Sequence, residues 1–173
     1  MMIVLYIIGG IILLITLLSF IVTTAFEHKT EIVINKPKAE VFEYLKSIKN
    51  QDKWSVWNQM DPNMKKEYIG TDSTVGFVYA WDGNKKAGKG AQELKKIIEG
   101  ERIDVELRFE KPFKITNKVY FTTLTVEGNK TKVEWVMYGN SIRPFNLIFP
   151  LMVGSLLKDF NKGLLNLKAL LEK

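Results

Sequence analysis

The sequence predicts an α+β architecture: an antiparallel seven-stranded sheet wrapped around a long carboxy-terminal helix, preceded by one transmembrane helix. Three observations predict it. Charge is segregated, because the first charged side chain is Glu27 and all 25 Lys/Arg and 19 Asp/Glu lie from there to Lys173. Lys65 to Ile142 reads as strand and turn throughout. Val153, Leu156, Leu157, Phe160, Leu164, Leu167 and Leu171 recur at three- and four-residue spacing, with Lys158, Asn161, Lys162 and Lys168 on the opposite face.

Met2 to Thr24 is the apolar segment. A helix of that length covers about 34 Å at about 1.5 Å per residue, enough for the hydrocarbon core of a bilayer. The competing reading is a cleaved signal peptide, for which Thr23 and Ala25 would supply small residues at the cleavage site. No basic residue precedes the run, and it exceeds the usual apolar core of a signal peptide, which favours an uncleaved anchor. Residues 1–26 are therefore expected to be the transmembrane helix and residues 27–173 the second domain. Lys29, Lys36 and Lys38 follow the span and no Lys or Arg precedes it, so the positive-inside rule puts the domain in the cytoplasm. This partition also explains a near-zero mean hydropathy in a chain that is 25% charged. About 147 residues remain beyond the span, enough for one domain with its own core.

Glu31–Ile34 reads as the first strand. Asn35-Lys36-Pro37 breaks it, and Val41, Phe42, Leu45 and Ile48 then share one helical face. Asn50-Gln51-Asp52 interrupts, and Trp54 and Trp57 follow. Six more strands are expected over Lys65–Ile69, Gly76–Trp81, Gly90–Ile98, Arg102–Phe109, Thr116–Val126 and Thr131–Tyr138. In Arg102–Phe109, Ile103, Val105, Leu107 and Phe109 alternate with Asp104, Glu106 and Arg108, so one face of the sheet is solvated. The final helix, from about Leu151, must bury its apolar stripe, and the half-apolar sheet is the partner of matching size. A sheet curved around one helix leaves space for a small apolar ligand between them.

Composition excludes much chemistry. There is no Cys, hence no disulfide, thiol nucleophile, iron–sulfur cluster or Cys-ligated zinc. One His rules out His-rich metal sites, and that residue, His28, sits beside the apolar segment as an expected interfacial residue. Lys outnumbers Arg 22 to 3 and is scattered, unlike a nucleic-acid groove, so no nucleic-acid partner is expected. The net charge of +6 reads first as a solvated surface, with a modest attraction to an anionic leaflet as the functional alternative. The loop Asp82–Gly90 contains GKGA but lacks phosphate-loop spacing and joins two strands, so it reads as a solvated hairpin. No carboxylate pair is singled out by spacing, and the alternation puts Glu106 and Glu134 on the solvated face. No catalytic constellation, metal or cofactor is expected.

The stretches Glu31–Trp57 (EIVINKPKAEVFEYLKSIKNQDKWSVW), Val75–Leu94, Glu101–Phe113, Thr131–Gly139 and Lys158–Lys173 together resemble the SRPBCC superfamily, the START-related helix-grip domains that include polyketide cyclase/dehydrase-like proteins. The resemblance covers essentially the whole second domain. It implies a cavity between the sheet and the last helix. It does not imply an activity, because the superfamily holds binding proteins, lipid carriers, a few enzymes and co-chaperones. An amino-terminal hydrophobic helix ahead of the domain is similar to a recurring bacterial arrangement of this group.

The residues expected to line that cavity are Trp54, Trp57, Tyr79, Trp81, Phe109, Phe121, Trp135, Met137, Phe160 and Leu164. Aromatic walls with indole and phenol edges suit an apolar or amphipathic ligand, although a packed core has the same composition. The expectation is a membrane-anchored module that binds a lipid, isoprenoid or polyketide-like compound. The alternatives are a cyclase/dehydrase-like enzyme with an ionisable group in the cavity, and a protein-interaction module at the membrane. No protein partner is named by the sequence. The short tether, from Thr24 to Glu31, keeps the domain near the bilayer, and the apolar Ser141–Pro150 segment is placed to gate the cavity or touch lipid.

Overall fold

A computed structural model describes residues 2–173. Met1, the first residue of the expected 1–26 segment, lies outside the described residues. The order of elements follows the expectation; most strands are longer, while the expected Gly76–Trp81 strand runs over Val78–Asp82. Helix α1 spans Met2–Ile21 and is followed by strand β1, Ala25–Ile34. Helix α2 is Lys38–Lys46, and a 3₁₀ turn at Ile48–Asn50 leads into the one-turn helix α3, Gln51–Trp54. Six strands follow: β2 (Lys65–Ile69), β3 (Val78–Asp82), β4 (Lys89–Ile98), β5 (Arg102–Lys111), β6 (Ile115–Val126) and β7 (Lys130–Asn140). A 3₁₀ turn at Phe145–Leu147 precedes helix α4, Phe149–Leu171.

The seven strands form one antiparallel sheet in the order β1-β7-β6-β5-β4-β3-β2. Strands β2 to β7 are a meander of hairpins, and β1 closes the far side by pairing with β7 from Ala25↔Asn140 to Ile34↔Thr131. The register of β4 against β5 shifts at Lys89/Gly90 and at Leu94/Lys96. Such irregularities bend a strand and increase its twist, which curves the sheet around α4.

Strand β1 begins at Ala25, not at Glu31 as the sequence suggested. Its inward positions include His28 and Thr30, whose polarity hid the period-two pattern. The tether between α1 and β1 therefore shrinks to Val22-Thr23-Thr24. The last helix also starts earlier than expected, at Phe149, with Pro150 in its first turn, where a missing N–H costs nothing.

The outward sheet face is charged and paired. Arg108 donates to Glu93 at 2.7 Å and to Glu106 at 2.6 Å, and Lys132 pairs with Glu134 at 2.9 Å. Glu106 and Glu134 thus lie on the solvated face, as the alternation required. The concave face splits along its length. At one end Ile34, Val41, Phe42, Ile48, Leu94, Ile103, Val133, Leu164 and Leu167 form a closed core. There α2 and the carboxy-terminal half of α4 fill the curvature, and each fully buried Leu, Ile or Phe contributes about 1.5–3 kcal/mol. Gly163 permits the close approach, since a Cβ there would lie 3.2 Å from the Trp135 ring. At the other end, nearest α1, the sheet and α4 diverge.

Candidate functional site: an uncharged aromatic cavity

At the α1 end, the sheet, α3 and the first half of α4 enclose a cavity of about 280 Å³. This lies just below the range for ligand pockets, about 300–1,000 Å³. Inward positions of five strands build its wall. Tyr79 and Trp81 come from β3, Gln92 from β4, Leu107 and Phe109 from β5, Asn117, Val119 and Phe121 from β6, and Trp135 and Met137 from β7. Gln51, Ser55, Trp57, Asn58 and Met64 close the α3 side, Ala87 comes from the β3–β4 turn, and Phe149, Leu156 and Phe160 close the α4 side.

Of the residues expected to line the cavity, Trp57, Tyr79, Trp81, Phe109, Phe121, Trp135, Met137 and Phe160 do line it. Trp54 and Leu164 do not. Trp54 lies one layer behind, edge-on to Trp135 at 5.3 Å and to Phe121 at 6.1 Å. Leu164 sits in the closed core, one turn of α4 beyond Phe160. The cause is the taper of the site: the gap between helix and sheet closes between Phe160 and Leu164.

The aromatics form two clusters, one of Trp57, Phe121, Trp135 and Phe160 and one of Tyr79, Trp81 and Phe109. Trp135 stacks on Phe160 with centroids 4.4 Å apart and rings 13° from parallel, and Trp57 meets both rings edge-on at 5.7 and 5.2 Å. Edge-to-face and offset pairs of this kind hold one another in place at about 0.5–1.5 kcal/mol each beyond burial. Trp81 stands edge-on to Phe109 at 5.8 Å and donates its indole N–H to the Ala87 carbonyl at 3.1 Å. Gly90 makes room for that indole, because a Cβ there would lie 2.6 Å from the ring.

The polar lining residues are neutral amides and hydroxyls, and sequence reasoning missed the amides. Gln92 donates to the Gln51 side chain at 2.9 Å, both residues being buried. Asn117 is buried, and its side-chain oxygen has no partner among the described residues. The indole N–H of Trp135 is likewise unpartnered. The available signal was the alternation itself, since positions 92 and 117 fall on the inward face where apolar side chains are expected. Buried amides at such positions need hydrogen-bonding partners, so they are candidates for ligand contacts.

The electrostatics are those of a neutral site. No Lys, Arg, Asp, Glu or His stands among the described lining residues. Tyr79 is the titratable one. Burial first, and the nearby Asp52 charge second, push its phenol well above the usual value, so it keeps its proton. Its hydroxyl meets the Met64 sulfur at 3.5 Å. Asp52 lies just outside the wall. Burial alone would raise it, but hydrogen bonds from Asn58, Lys66 and Tyr68 outweigh that and hold its carboxyl below the usual range. The Asn58 amide is committed to that carboxylate at 2.8 Å. Among the described lining residues none carries a group that is a base at neutral pH. No group of three or more His, Cys, Asp or Glu able to hold a metal occurs among the described residues.

No family model matches the chain, and no curated protein matches it. Solved structures do match. Protein MLL2253 of Mesorhizobium loti superimposes with a TM-score of 0.62 at 15% identity, covering 84% of this chain and 96% of its own. Protein CV1439 of Chromobacterium violaceum gives 0.58 at 18% identity, covering 85% of this chain and 97% of its own. The Aha1 dimer of Colwellia psychrerythraea gives 0.56 at 19% identity, with 85% and 96% covered. At these identities the likeness is one of fold. It agrees with a helix-grip architecture: a seven-stranded antiparallel sheet, a long carboxy-terminal helix and, here, an apolar helix in front.

Proposed function

We propose that this chain is a membrane-anchored SRPBCC-type protein that binds an uncharged hydrophobic or amphipathic small molecule, such as a lipid, isoprenoid or polyketide-like compound. The observation that carries this reading is the cavity wall: aromatic, furnished with neutral amides and free of ionised groups among its described residues. A carboxylate or ammonium on the ligand would lose its hydration with no opposite charge to meet it, a penalty of several kcal/mol. A carbonyl or hydroxyl on the ligand would instead find Asn117, Gln92 or the Trp135 N–H.

The division into an anchor at 1–26 and a binding domain at 27–173 belongs to the same proposal. In its support, α1 is the one helix among the described residues long and apolar enough to cross a membrane. Lys29, Lys36 and Lys38 after the span favour a cytoplasmic domain, which a reporter fused after Lys173 tests directly. A cyclase/dehydrase-like enzyme would have to work through Tyr79 as a proton donor, the titratable side chain in the wall.

The test is to purify the full chain from membranes and examine it by native mass spectrometry with extraction. A copurified neutral apolar compound is expected. A panel titrated by Trp fluorescence should show quenching or blue shift with neutral ligands and none with their carboxylate analogues. Empty protein that ignores the whole panel sinks the reading.

A further inference from the structure

The topology sorts the turns of the domain into two ends with opposite charge. At the end where β1 leaves α1 lie the β3–β4 turn, the β5–β6 turn and the segment from β7 to α4. Their charged residues are Lys85 and Lys86, Lys114, and Arg143. The far end holds the hairpin turns β2–β3, β4–β5 and β6–β7, whose charged residues are Asp72, Glu99, Glu101 and Glu127. Lys36 and Asp61, in the connections outside the hairpins, run against the trend, but each is engaged locally, Lys36 by Glu40 at 3.0 Å and Asp61 by the Asn84 N–H at 2.7 Å.

The basic end is also greasy. Leu151 is 84% exposed, and Met152, Ile148, Phe145 and Phe113 are exposed with it. Phe113, at the tip of the β5–β6 turn, meets Phe145 with ring centroids 4.9 Å apart. These side chains stand beside the end of α1, and that junction is built. Asn146, 2% exposed, donates from its amide to the Ser19 carbonyl at 2.8 Å and to the Val22 carbonyl at 2.9 Å. Arg143 donates to Ser19 at 2.8 Å and lies 5.0 Å from the Phe20 ring centroid. The last carbonyls of a helix have no partner within it, and here the turn before α4 supplies one. The exit of α1 is thereby fixed against the exposed patch.

We infer that this end of the domain docks onto the bilayer, with Phe113, Phe145, Ile148, Leu151 and Met152 in the lipid interface and Lys85, Lys86, Lys114 and Arg143 facing anionic headgroups. The inference rests on the proposed membrane span of α1. Two independent features choose lipid as the occupant: continuity of the apolar patch with an apolar helix clamped to it, and a ring of basic turns at that end. The same first turns of α4 present Phe149 and Leu156 to the cavity, so docking puts one cavity wall at the membrane surface.

The chain has no Cys, so single labels are clean. Met152→Cys, Phe113→Cys, Leu13→Cys and, at the far end, Thr125→Cys are each made in the full chain. They carry an environment-sensitive fluorophore in nanodiscs of phosphatidylcholine with phosphatidylserine. Nitroxide-labelled lipid should quench the labels at 152 and 113 several-fold more than the one at 125, and iodide should do the reverse. Lys85→Glu with Lys86→Glu and Lys114→Glu should lower lipid quenching at 152 about twofold or more in anionic discs. Lipid quenching at Leu13 with water-like behaviour at 152 and 113 overturns the docking and leaves the span standing. Lipid quenching at 152 and 113 without it at Leu13 supports docking and removes the span. Protection of 152 and 113 from both quenchers means protein covers the patch, a second copy included, and overturns the inference.

Discussion

Between Phe149 and Leu157 the last helix carries no charged side chain, and most of its outer surface is apolar and exposed. Between Lys158 and Leu171 it is an ordinary amphipathic helix, with Phe160, Leu164, Leu167 and Leu171 buried and Lys158, Asn161 and Lys162 outside. The second half obeys a water–core boundary. The first half has an apolar inner face on the cavity and an apolar outer face, which suits a cavity–lipid boundary. On the proposed docking, one continuous helix serves two solvents. The difference shows that one apolar stripe can run through two unlike surroundings, an exposed apolar half and a half with a charged outer face.

Substitution separates the halves most strongly through packing. Leu164→Ala or Leu167→Ala should destabilise the protein by about 2–5 kcal/mol, because each leaves a void in a closed core. Leu151→Ala and Met152→Ala should stay within about 0.5 kcal/mol, as surface changes do. Urea unfolding followed by Trp fluorescence measures both, and equal losses would erase the distinction. Next in size is Gly163→Val, in the second half where the gap between helix and sheet closes. Its added carbons meet Trp135 and Trp54, so a loss of about 1–3 kcal/mol is expected, together with weaker binding of any cavity ligand by titration.

Asn146→Ala removes the two amide hydrogen bonds to the α1 exit, leaving the one from Arg143, and should cost about 1–2 kcal/mol locally. Hydrogen exchange should quicken in Ser19–Thr24 and in the first turn of α4, and leave Phe160–Leu171 unchanged. The smallest effect concerns pH. His28 stacks at 5.8 Å on Phe149, and burial lowers its imidazole below the ordinary value. The unfolded chain then takes up a proton that the folded chain resists. Stability is full above about pH 6.5 and declines as pH falls below it. An NMR titration of this single His should show the lowered value, and His28→Gln should flatten stability across that window.

Where alternation or helical spacing was clean, the elements were legible: β2 at Lys65–Ile69 matches residue for residue, and β5 and α4 emerge from their apolar stripes. Strand β1 was half hidden because His28 and Thr30 occupy inward positions, and only its pairing with β7 defines its length. Among the site residues, the large aromatics stood out by type. Asn117, Gln92 and Gln51 did not stand out by type, and for Asn117 and Gln92 only the inward register of their strands marked them. Trp54 and Leu164 were drawn in by composition, and the taper of the helix against the sheet excluded them.

The sequence by itself determined the apolar leading helix, the seven strands, the gripping stripe of α4 and the exclusion of thiol and His-rich metal chemistry. These depend on local period and on residue counts, which need no partner to be read. Tertiary structure alone decided that the gap opens at the α1 end, that its wall is uncharged, and that basic and acidic turns segregate to opposite ends of the domain. Those properties arise from which strands neighbour which and from the angle at which a helix crosses a curved sheet, and distant segments must meet before either exists.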